Sequence, residues 1–331
     1  MAKKNEENEV KTDIDDLTLF KIFQQYSDED KAREFVENLR WPNGPVCPHC
    51  QSTKVYRLTP KATSTKPGRK GLLKCGTCRK QFTVMVSTIF SDSHIPLSKW
   101  VIAIHLLCAS KKGISAHQIY RMLDLKSYKS AWFMMHRIRH AMTQEPLCSK
   151  LSGTVECDET YIGGKAKNMH KKEREKKIQG RGAVGKAPVV TLVEREGRVR
   201  SEHVKRVTED NLKQVLQSYI DEKANLMTDE FTSYGNIGPL FASHETVNHS
   251  AGEYVREQAH INTAESVHSL LKRGVHGVYH HWSVQHLARY LAEFDFRFNL
   301  RKSPDGTRTA EAIKATVGKR LLYREPIRKS S

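Results

Sequence analysis

Apolar residues recur every three or four positions along several stretches of the chain, which is the spacing of amphipathic helices. In the first half, this pattern predicts two short helices before Trp41, a longer helix ending near Gly113, and a further helix pair after it. From Thr154 the pattern changes to short apolar runs of strand type. These runs are VECDETYIGG, APVVTLVERE, RVRSEHVK and NLMTDEF, with the predicted helix TEDNLKQVLQSYI before the last of them. The order predicts a helical first part and then an α/β sheet with a crossover helix.

The stretch HINTAESVHSLLKRGVHG, residues 260–277, reads as a helix with two distinct faces. One face carries four apolar residues at spacings of three and four: Ala264, Val267, Leu270 and Leu271. The opposite face collects four polar residues: Glu265, His268, Ser269 and Lys272. A plain amphipathic surface helix gives the same stripe, so this segment alone does not indicate a site. A later segment from Ser283 to Leu300 predicts one more core helix.

Two pairs of cysteines carry the strongest local signal for a metal. Cys47 and Cys50 form one CxxC knuckle, and Cys75 and Cys78 form a second one after the stretch 51–74. Each knuckle offers two thiolates, so the two together predict one structural, tetrahedral Zn²⁺. His49 is an alternative ligand that four matched sulfurs make unnecessary. The stretch between the knuckles holds a basic loop, and we expect the ribbon to read DNA ends, although such ribbons also serve as contacts for proteins.

The segment GISAHQIYRMLDLKSYKSAWFMMHRIRHAM follows the plan of a helix-turn-helix unit. A short helix of about 115–123 is followed by a turn and a longer helix that carries Arg137, Arg139 and His140. We predict that Arg137 and Arg139 contact DNA. A three-helix packing unit without such a role is the alternative, and the two helices before Trp41 are equally explained as a docking module or as a packing cap.

Composition and charge narrow the class of partner. The chain has 331 residues, a formal net charge of +18 and a pI near 9.6, which favours an anionic partner. The mean hydropathy of −0.60 and the lack of a long apolar run make nucleic acid the expected partner and argue against a membrane. No signal peptide is predicted at MAKKNEENEV, and paired CxxC knuckles among seven cysteines indicate a reducing compartment. We therefore expect a cytoplasmic protein.

Three carboxylates from separate segments can converge on metal ions. Asp158 lies in the first strand run, Asp229 ends the last one, and Glu265 lies in the predicted helix that follows. Oxygen ligands suit Mg²⁺, and two such ions can activate an attacking oxygen and stabilise a leaving oxygen in phosphoryl transfer. The neighbours Glu159 and Glu230 are rival ligands, but strand alternation points each to the opposite face from its aspartate.

Four segments together resemble a known family: VECDETYIGGKAKNMH, MTDEF, HINTAESVHSLLKRGVHGVYHH and YLAEFDFRFNLR. They are similar, in order, to the DDE transposases of bacterial insertion sequences, in the family with an N-terminal zinc ribbon. The resemblance runs from about Trp41 to Lys302. It implies an RNase H-like catalytic domain whose three acids are Asp158, Asp229 and Glu265, with Mg²⁺ or Mn²⁺ as the cofactor and two ions per site. That family also carries a basic residue where Lys272 stands.

The same resemblance gives a role to the basic loop after the first strand. Between Lys165 and Lys186 the loop has nine Lys or Arg and two Glu, a pattern more typical of a solvated loop. Matching motifs favour a DNA clamp instead, with Lys165 and Asn168 as contacts. Further DNA contacts are predicted for residues around the last acid: His260, Asn262, Lys272 and Arg273.

The predicted fold class is multidomain α+β: a helical N-terminus with a zinc ribbon, a helix-turn-helix-like unit, and an α/β RNase H-like catalytic domain. The predicted boundaries are a disordered tail 1–16, helices 17–42, ribbon 43–92, helix-turn-helix-like domain 93–146, catalytic domain 150–303 and a tail 304–331 with a short helix.

The predicted function is transposition of the element that encodes the chain. The expected steps are binding of the terminal inverted repeats, cleavage at the 3′ ends and strand transfer to target DNA. Joining two ends implies a homodimer or larger assembly, working in association with the bacterial nucleoid. Two other hypotheses remain open: a DNA-binding regulator that no longer cuts, and a structure-specific nuclease of the same fold. All three acids are present, which counts against the regulator.

Overall fold

The computed structural model describes residues 14–59, 70–143, 149–164, 169–177, 183–247 and 259–327. The chain divides into two compact units. One unit contains the residues up to Met142 together with a returning segment from Arg301, and the other contains Thr143–Leu300. Among the described residues, no helix has the length and apolar character needed to cross a bilayer.

The first unit is mainly helical. Its helices are α1 (Leu19–Tyr26), α2 (Glu29–Arg40), α3 (Leu97–Ala109), α4 (Ala116–Met122), α5 (Tyr128–Ala141), α10 (Asp305–Lys314) and α11 (Arg324–Ile327). Side-chain oxygens cap several of them: Asp28 accepts from the first turn of α2, and Ser115 and Ser127 do the same for α4 and α5.

Helix α3 forms the centre of this unit. Its residues Trp100, Ile104 and Leu107 are fully buried, because α1, α2, α5 and α10 all pack against it. The residue before α3 is Pro96, which has no side-chain acceptor. The carboxylate of Glu29 in α2 supplies the cap by accepting from the N–H groups of Leu97 and Ser98.

The C-terminal segment returns to this core, which the sequence did not predict. The short helix predicted in this segment is present as α10, which begins at Asp305, directly after Pro304, and packs along α3. His105 Nδ1 lies 2.9 Å from Thr309 Oγ1, and Gly318 N donates to the carbonyl of Ser87. Residues from the two ends of the chain therefore share one hydrophobic core.

The pair α4 and α5 forms in the predicted order, but its arginines are not where we expected them. Arg137 and Arg139 are 5% and 2% exposed. The guanidinium of Arg137 lies over the rings of Trp100 and Phe133 and donates to the carbonyl of Ser91. These two side chains are packed inside the unit, so they are not presented to a DNA backbone, and the predicted contacts by Arg137 and Arg139 are corrected accordingly.

A small three-stranded antiparallel sheet holds the cysteines. Its strands pair in sequence order: β1 (Val55–Arg57), β2 (Leu73–Cys75) and β3 (Gln81–Phe82). Among the described residues, the buried apolar core of this sheet consists of Cys47, Cys75, Leu73 and Phe82, with a few partly buried neighbours. Because that core is small, a bound metal has to supply much of the folding free energy.

The second unit is built on a five-stranded sheet in the order β6-β5-β4-β7-β8. Its strands are β4 (Thr154–Ile162), β5 (Ala187–Glu194), β6 (Val199–His203), β7 (Asn225–Asp229) and β8 (Ser243–Val247). β4, β5 and β6 form an antiparallel meander, and β7 and β8 run parallel to β4. The helices are α6 (Lys171–Lys177), α7 (Glu209–Tyr219), α8 (Asn262–Gly274) and α9 (Val284–Asn299), with a π-helical turn at Val275–Tyr279.

Helices cover both faces of this sheet. On one face, Leu212 and Leu216 of α7 pack against Val155 and Cys157 of β4. On the other, α8 and α9 pack against β5 and the end of β4 through apolar residues that include Val267, Leu271, Leu291 and Phe294. Odd-numbered residues of β4 therefore face α7, and even-numbered residues face α8. Asp158 is on the α8 face.

Candidate metal and catalytic sites

The four cysteines Cys47, Cys50, Cys75 and Cys78 come together in one cluster, with their sulfurs within 4.8 Å of one another. Cys47 Sγ lies 3.7 Å from Cys78 Sγ, and Cys50 Sγ lies 3.6 Å from Cys75 Sγ. Both distances are far longer than a disulfide bond of about 2.05 Å. A tetrahedral zinc with Zn–S bonds of about 2.3 Å requires S···S distances of about 3.8 Å. The cluster therefore fits a structural zinc.

The two knuckles share a local geometry that explains how the sulfurs converge. The residue after each second cysteine, Gln51 and Arg79, has a φ of 61°, which turns the backbone sharply. Cys78 N donates to Cys75 Sγ, and this bond, with that from the Thr77 N–H, lowers the pKa of Cys75 to about 6. A thiolate is the form that binds zinc. His49 instead packs edge-on against the ring of Phe82.

A second cluster is made of carboxylates at the end of the β4–β7 pairing. The carboxylate oxygens of Asp158, Glu159 and Asp229 lie within 4.8 Å of one another. The last paired residues are Glu156 and Met227, so Asp158 and Asp229 stand two residues further along neighbouring parallel strands, side by side on one face. Like charges this close repel, so a divalent cation would relieve the repulsion, and carboxylate oxygens suit Mg²⁺ or Mn²⁺.

Glu159 was considered as an alternative metal ligand to Asp158, and its side chain points to the other face of the sheet while one oxygen stays near the aspartates. As alternation requires, its side chain reaches the α7 face, where its carboxylate accepts a hydrogen bond from the Tyr234 hydroxyl. Its oxygen nevertheless remains near those of the aspartates. Burial, with the charges of Asp229 and Asp158, raises the pKa of Glu159 to about 7. Glu230, the other rival, is exposed and is not a member of the cluster.

Helix α8 lies beside this cluster because two contacts attach it to β4. Glu156, fully buried on β4, accepts from the N–H groups of Thr263 and Ala264 in the first turn of α8. One turn further along, His268 Nδ1 lies 3.2 Å from Asp158 Oδ2. His268 was placed on the polar helix face by the sequence, and the structure shows that this face meets the acids.

Glu265 lies between these two contacts, but its carboxylate is not in the three-acid cluster. It is exposed, immediately after Ala264 and three residues before His268. Lys272 is also exposed and stands four residues after His268 on the same face. The structure thus places the helix of the third predicted acid beside Asp158, without placing the carboxylate itself against Asp158 and Asp229.

The other predicted DNA contacts are distributed unevenly. Asn262 and Arg273 are exposed on α8. His260 is half-buried, with Nδ1 3.2 Å from Glu156 Oε1 and its carbonyl accepting from Arg195 Nη2. Lys165 and Asn168 lie outside the described residues, so their predicted contacts stay predictions.

Comparison with known proteins agrees with this pairing of a cysteine cluster and an acid-bearing α/β unit. Residues 150–299 match the family described as the ISXO2-like transposase domain, and residues 27–81 match the transposase zinc-ribbon domain. The chain is 30% identical over 289 residues to an uncharacterized protein in transposable element ISH50 of Halobacterium salinarum, covering 83% of this chain and 92% of that protein. The chain belongs to the family of ISXO2-like insertion-sequence transposases with an N-terminal zinc ribbon.

Two residues of this site were missed by sequence reasoning. Fully buried Glu156 forms an ion pair of 2.9 Å with the partly exposed Arg195 at the start of α8. The available signal was an acid at the third position of an apolar strand, two residues before Asp158 and on its face. Such an acid has to be paired, and its partners come from positions 39 and 107 residues away, which the sequence does not bring together.

Proposed function

We propose that the chain is the transposase that mobilises its own insertion sequence. Its N-terminal unit binds the terminal inverted repeats, and its α/β unit cleaves a phosphodiester at each 3′ end and joins that end to target DNA. The observation that carries the proposal is the side-by-side placement of Asp158 and Asp229, from two separate strands, in a domain that matches a transposase family. The reaction takes place on chromosomal DNA in the nucleoid.

The strand order β6-β5-β4-β7-β8 supports an RNase H-like fold for this unit. Three antiparallel strands come first, a helix crosses over, and two strands parallel to the first complete the sheet. The first acid stands on the central strand β4 and the second at the end of its neighbour β7. We infer that Glu265 is the third ligand, because α8 holds it one turn from His268 and its exposed side chain can turn toward Asp158.

The proposed chemistry assigns distinct roles to these side chains. When bound, two Mg²⁺ or Mn²⁺ ions activate the attacking oxygen and stabilise the leaving oxygen of the phosphodiester. Asp158, Asp229 and Glu265 would hold those ions. Lys272 places a cation on the same helix face, where the scissile phosphate would bind. His268 holds the carboxylate of Asp158 in orientation.

We propose that exposed residues before and at the start of α5, and not the buried Arg137 and Arg139, contact DNA. Residues 111–129 contain five Lys or Arg and a single Asp, and the basic ones are exposed: Lys111, Lys112, Arg121, Lys126 and Lys129. Tyr128 is 48% exposed and stands in the first turn of α5, the part of a recognition helix that contacts bases in helix-turn-helix proteins. We propose that this turn, with the zinc ribbon, reads the element's ends.

A direct test of DNA binding uses Lys126→Ala and Lys129→Ala. Each should weaken binding to end DNA and reduce the slope of log affinity against log salt by about 0.9, because each lysine releases about one counterion. Lys314→Ala is the matched control, since this exposed lysine of the same unit already pairs with Glu311. Unchanged affinity and slope in both variants would place the DNA contact elsewhere.

The function itself is tested by strand transfer with Mg²⁺, using labelled DNA that bears the element's own ends. Wild type should yield joined products, and Glu265→Ala should yield none while still binding the ends. Joined products from Glu265→Ala would remove that residue from the site. Binding without cleavage by wild type, with Mg²⁺ and with Mn²⁺, would favour the regulator. Oligomeric state on paired ends, measured by light scattering, tests the proposed dimer or larger assembly.

A further inference from the structure

We propose that Glu156 is a positioning residue: its buried carboxylate fastens the first turn of α8 to β4 and thereby sets where Glu265 meets the metal site. The inference rests on the proposed function. It concerns a residue outside the acid set, which would bind neither metal nor DNA.

The structural need for this contact comes from the helix itself. The residue before α8 is Ile261, whose side chain cannot accept a hydrogen bond. The N–H groups at the start of a helix must nevertheless be paired when they are buried. Glu156 Oε2 accepts from Thr263 N at 2.8 Å and from Ala264 N at 3.1 Å. A carboxylate from the neighbouring strand therefore supplies the cap that the helix lacks.

The same carboxylate is fixed by further partners, so it cannot turn away from α8. Glu156 Oε1 accepts from Thr263 Oγ1 at 3.1 Å and from Arg195 Nε at 2.9 Å. Arg195 Nη2 in turn donates to the carbonyl of His260, just before the helix. With no exposed surface, Glu156 balances its charge against Arg195 and the positive end of the helix dipole.

The position of Glu156 links two predicted metal ligands. It lies two residues before Asp158 on the same strand face, a distance of roughly 7 Å along the strand. The amide that it binds belongs to Ala264, the residue before Glu265. His268 contacts Asp158 one turn later. Glu265 thus stands between two points at which α8 is attached to β4, and loosening the first point releases the turn that carries Glu265.

The test compares Glu156→Gln with wild type in two measurements that need no DNA. One is hydrogen exchange of peptides covering the first turn of α8. The other is Mn²⁺ binding, with Asp229→Asn as the reference protein that lacks the site. We expect faster exchange in that turn and a loss of Mn²⁺ affinity of roughly 10- to 100-fold, the range for partners that orient metal ligands.

Asp295→Asn is the matched control. Asp295 is also a buried acid that joins a helix to a strand, accepting from Ser201 N at 2.7 Å, but it connects α9 to β6 at the far edge of the sheet. This variant should leave Mn²⁺ affinity and exchange in α8 unchanged. Thr263→Val, which removes one hydroxyl donor to Glu156 and nearly preserves shape, should show the same changes as Glu156→Gln at a few-fold size. Thr263→Val also provides the test of the positioning role if Glu156→Gln does not fold.

The outcomes separate this inference from the proposed function. Folded Glu156→Gln or Thr263→Val with wild-type Mn²⁺ affinity and exchange would overturn the positioning role while leaving the function intact. Equal losses in Asp295→Asn would reduce Glu156 to a general contributor to stability. Wild type that binds no more Mn²⁺ than Asp229→Asn would overturn the metal site of the proposed function, and the positioning role with it.

Discussion

The cysteine cluster and the carboxylate cluster, each able to hold a metal, differ in what brings their side chains together. The four cysteines come from two short knuckles in a small sheet with little apolar core, and their sulfurs are already at the spacing of a zinc site. The acids come from strands and a helix that are far apart in sequence, on a sheet with a large hydrophobic cluster on each face. In the ribbon, we expect bound zinc to stabilise the fold; in the α/β unit, the fold itself brings the proposed metal-binding acids together.

The two clusters also differ in charge repulsion and in how many positions around a metal ion the protein can fill. The cysteines can fill all four positions around one ion, which is the property of a structural site. The aspartates are partly exposed and repel each other, and with fewer protein ligands a metal ion at this cluster would keep positions open for substrate oxygens. Loss of a ligand should therefore destabilise the first cluster and inactivate the second. The following four experiments test this contrast, in order of decreasing expected effect.

The largest effect is expected for Cys47→Ser. Loss of one sulfur should release about one zinc per chain and unfold the ribbon, because a structural zinc can contribute about 10 kcal/mol or more. Zinc content, circular dichroism and binding to end DNA measure the result. Cys108→Ser, which changes a buried cysteine outside the cluster, is the control and should keep its zinc. Retained zinc in Cys47→Ser would disprove the four-sulfur site.

Next comes Asp229→Asn, which should lower strand transfer by about 10³-fold or more, because metal ions contribute several kcal/mol to the transition state. Its free energy of unfolding without metal should be equal to or above that of wild type, since one repelling charge is removed. Glu230→Gln, an exposed neighbour outside the cluster, should behave as wild type. A clear loss of stability in Asp229→Asn would remove the contrast with the ribbon.

A smaller effect concerns the stability of the α/β unit without metal. Burial raises the pKa of Asp295 to about 7, against the lowering effect of hydrogen bonds from Ser201. A raised pKa in the folded state means that the folded protein binds the extra proton, so stability falls as pH rises between about 4 and 7. From pH 5 to 7.5 this amounts to at most about 2–3 kcal/mol. In urea unfolding, Asp295→Asn should lack this part of the pH dependence; identical pH profiles would contradict the shift.

The smallest effect is expected for Glu159→Gln. We expect a loss of strand transfer of about 10-fold or less, because the Glu159 carboxylate already accepts from the Tyr234 hydroxyl and is not one of the proposed metal ligands. Tyr234→Phe is the companion variant and should give a loss of similar size. If Glu159→Gln loses as much activity as Asp229→Asn, we would assign Glu159 as a metal ligand. The proposed role of Glu265 as the third ligand would then need a separate test.

The sequence predicts those features of the fold and of the candidate sites that depend on spacing and periodicity within short segments. The CxxC spacing fixes the sulfur cluster because each pair is joined by one short turn. Asp158 and Asp229 could be paired because neighbouring parallel strands place the same ends together, and helix α7 after β6 brings β7 back parallel to β4. The polar face of α8 also followed from periodicity, and His268 on that face does contact Asp158.

What could not be predicted depends on contacts across long distances in sequence. Arg137 reads as a surface residue on a basic helix, yet aromatic rings and a carbonyl 46 residues away provide it with a buried environment. Glu156 reads as an ordinary strand acid, and only the fold shows that α8 lacks a cap of its own. In both cases a charged side chain is buried because its partners come from other elements, and periodicity carries no information about them.

The return of the C-terminal segment to α3 has a consequence for how the protein is made. His105 and Thr309 meet across 204 residues, so the first unit cannot be completed until nearly the whole chain has left the ribosome. At about 5–20 residues per second, α3 waits roughly 10–40 seconds for α10. The cysteine knuckles have no such delay. During that interval α1, α2 and α5 can already pack on α3, but the side of α3 that α10 covers stays exposed to solvent.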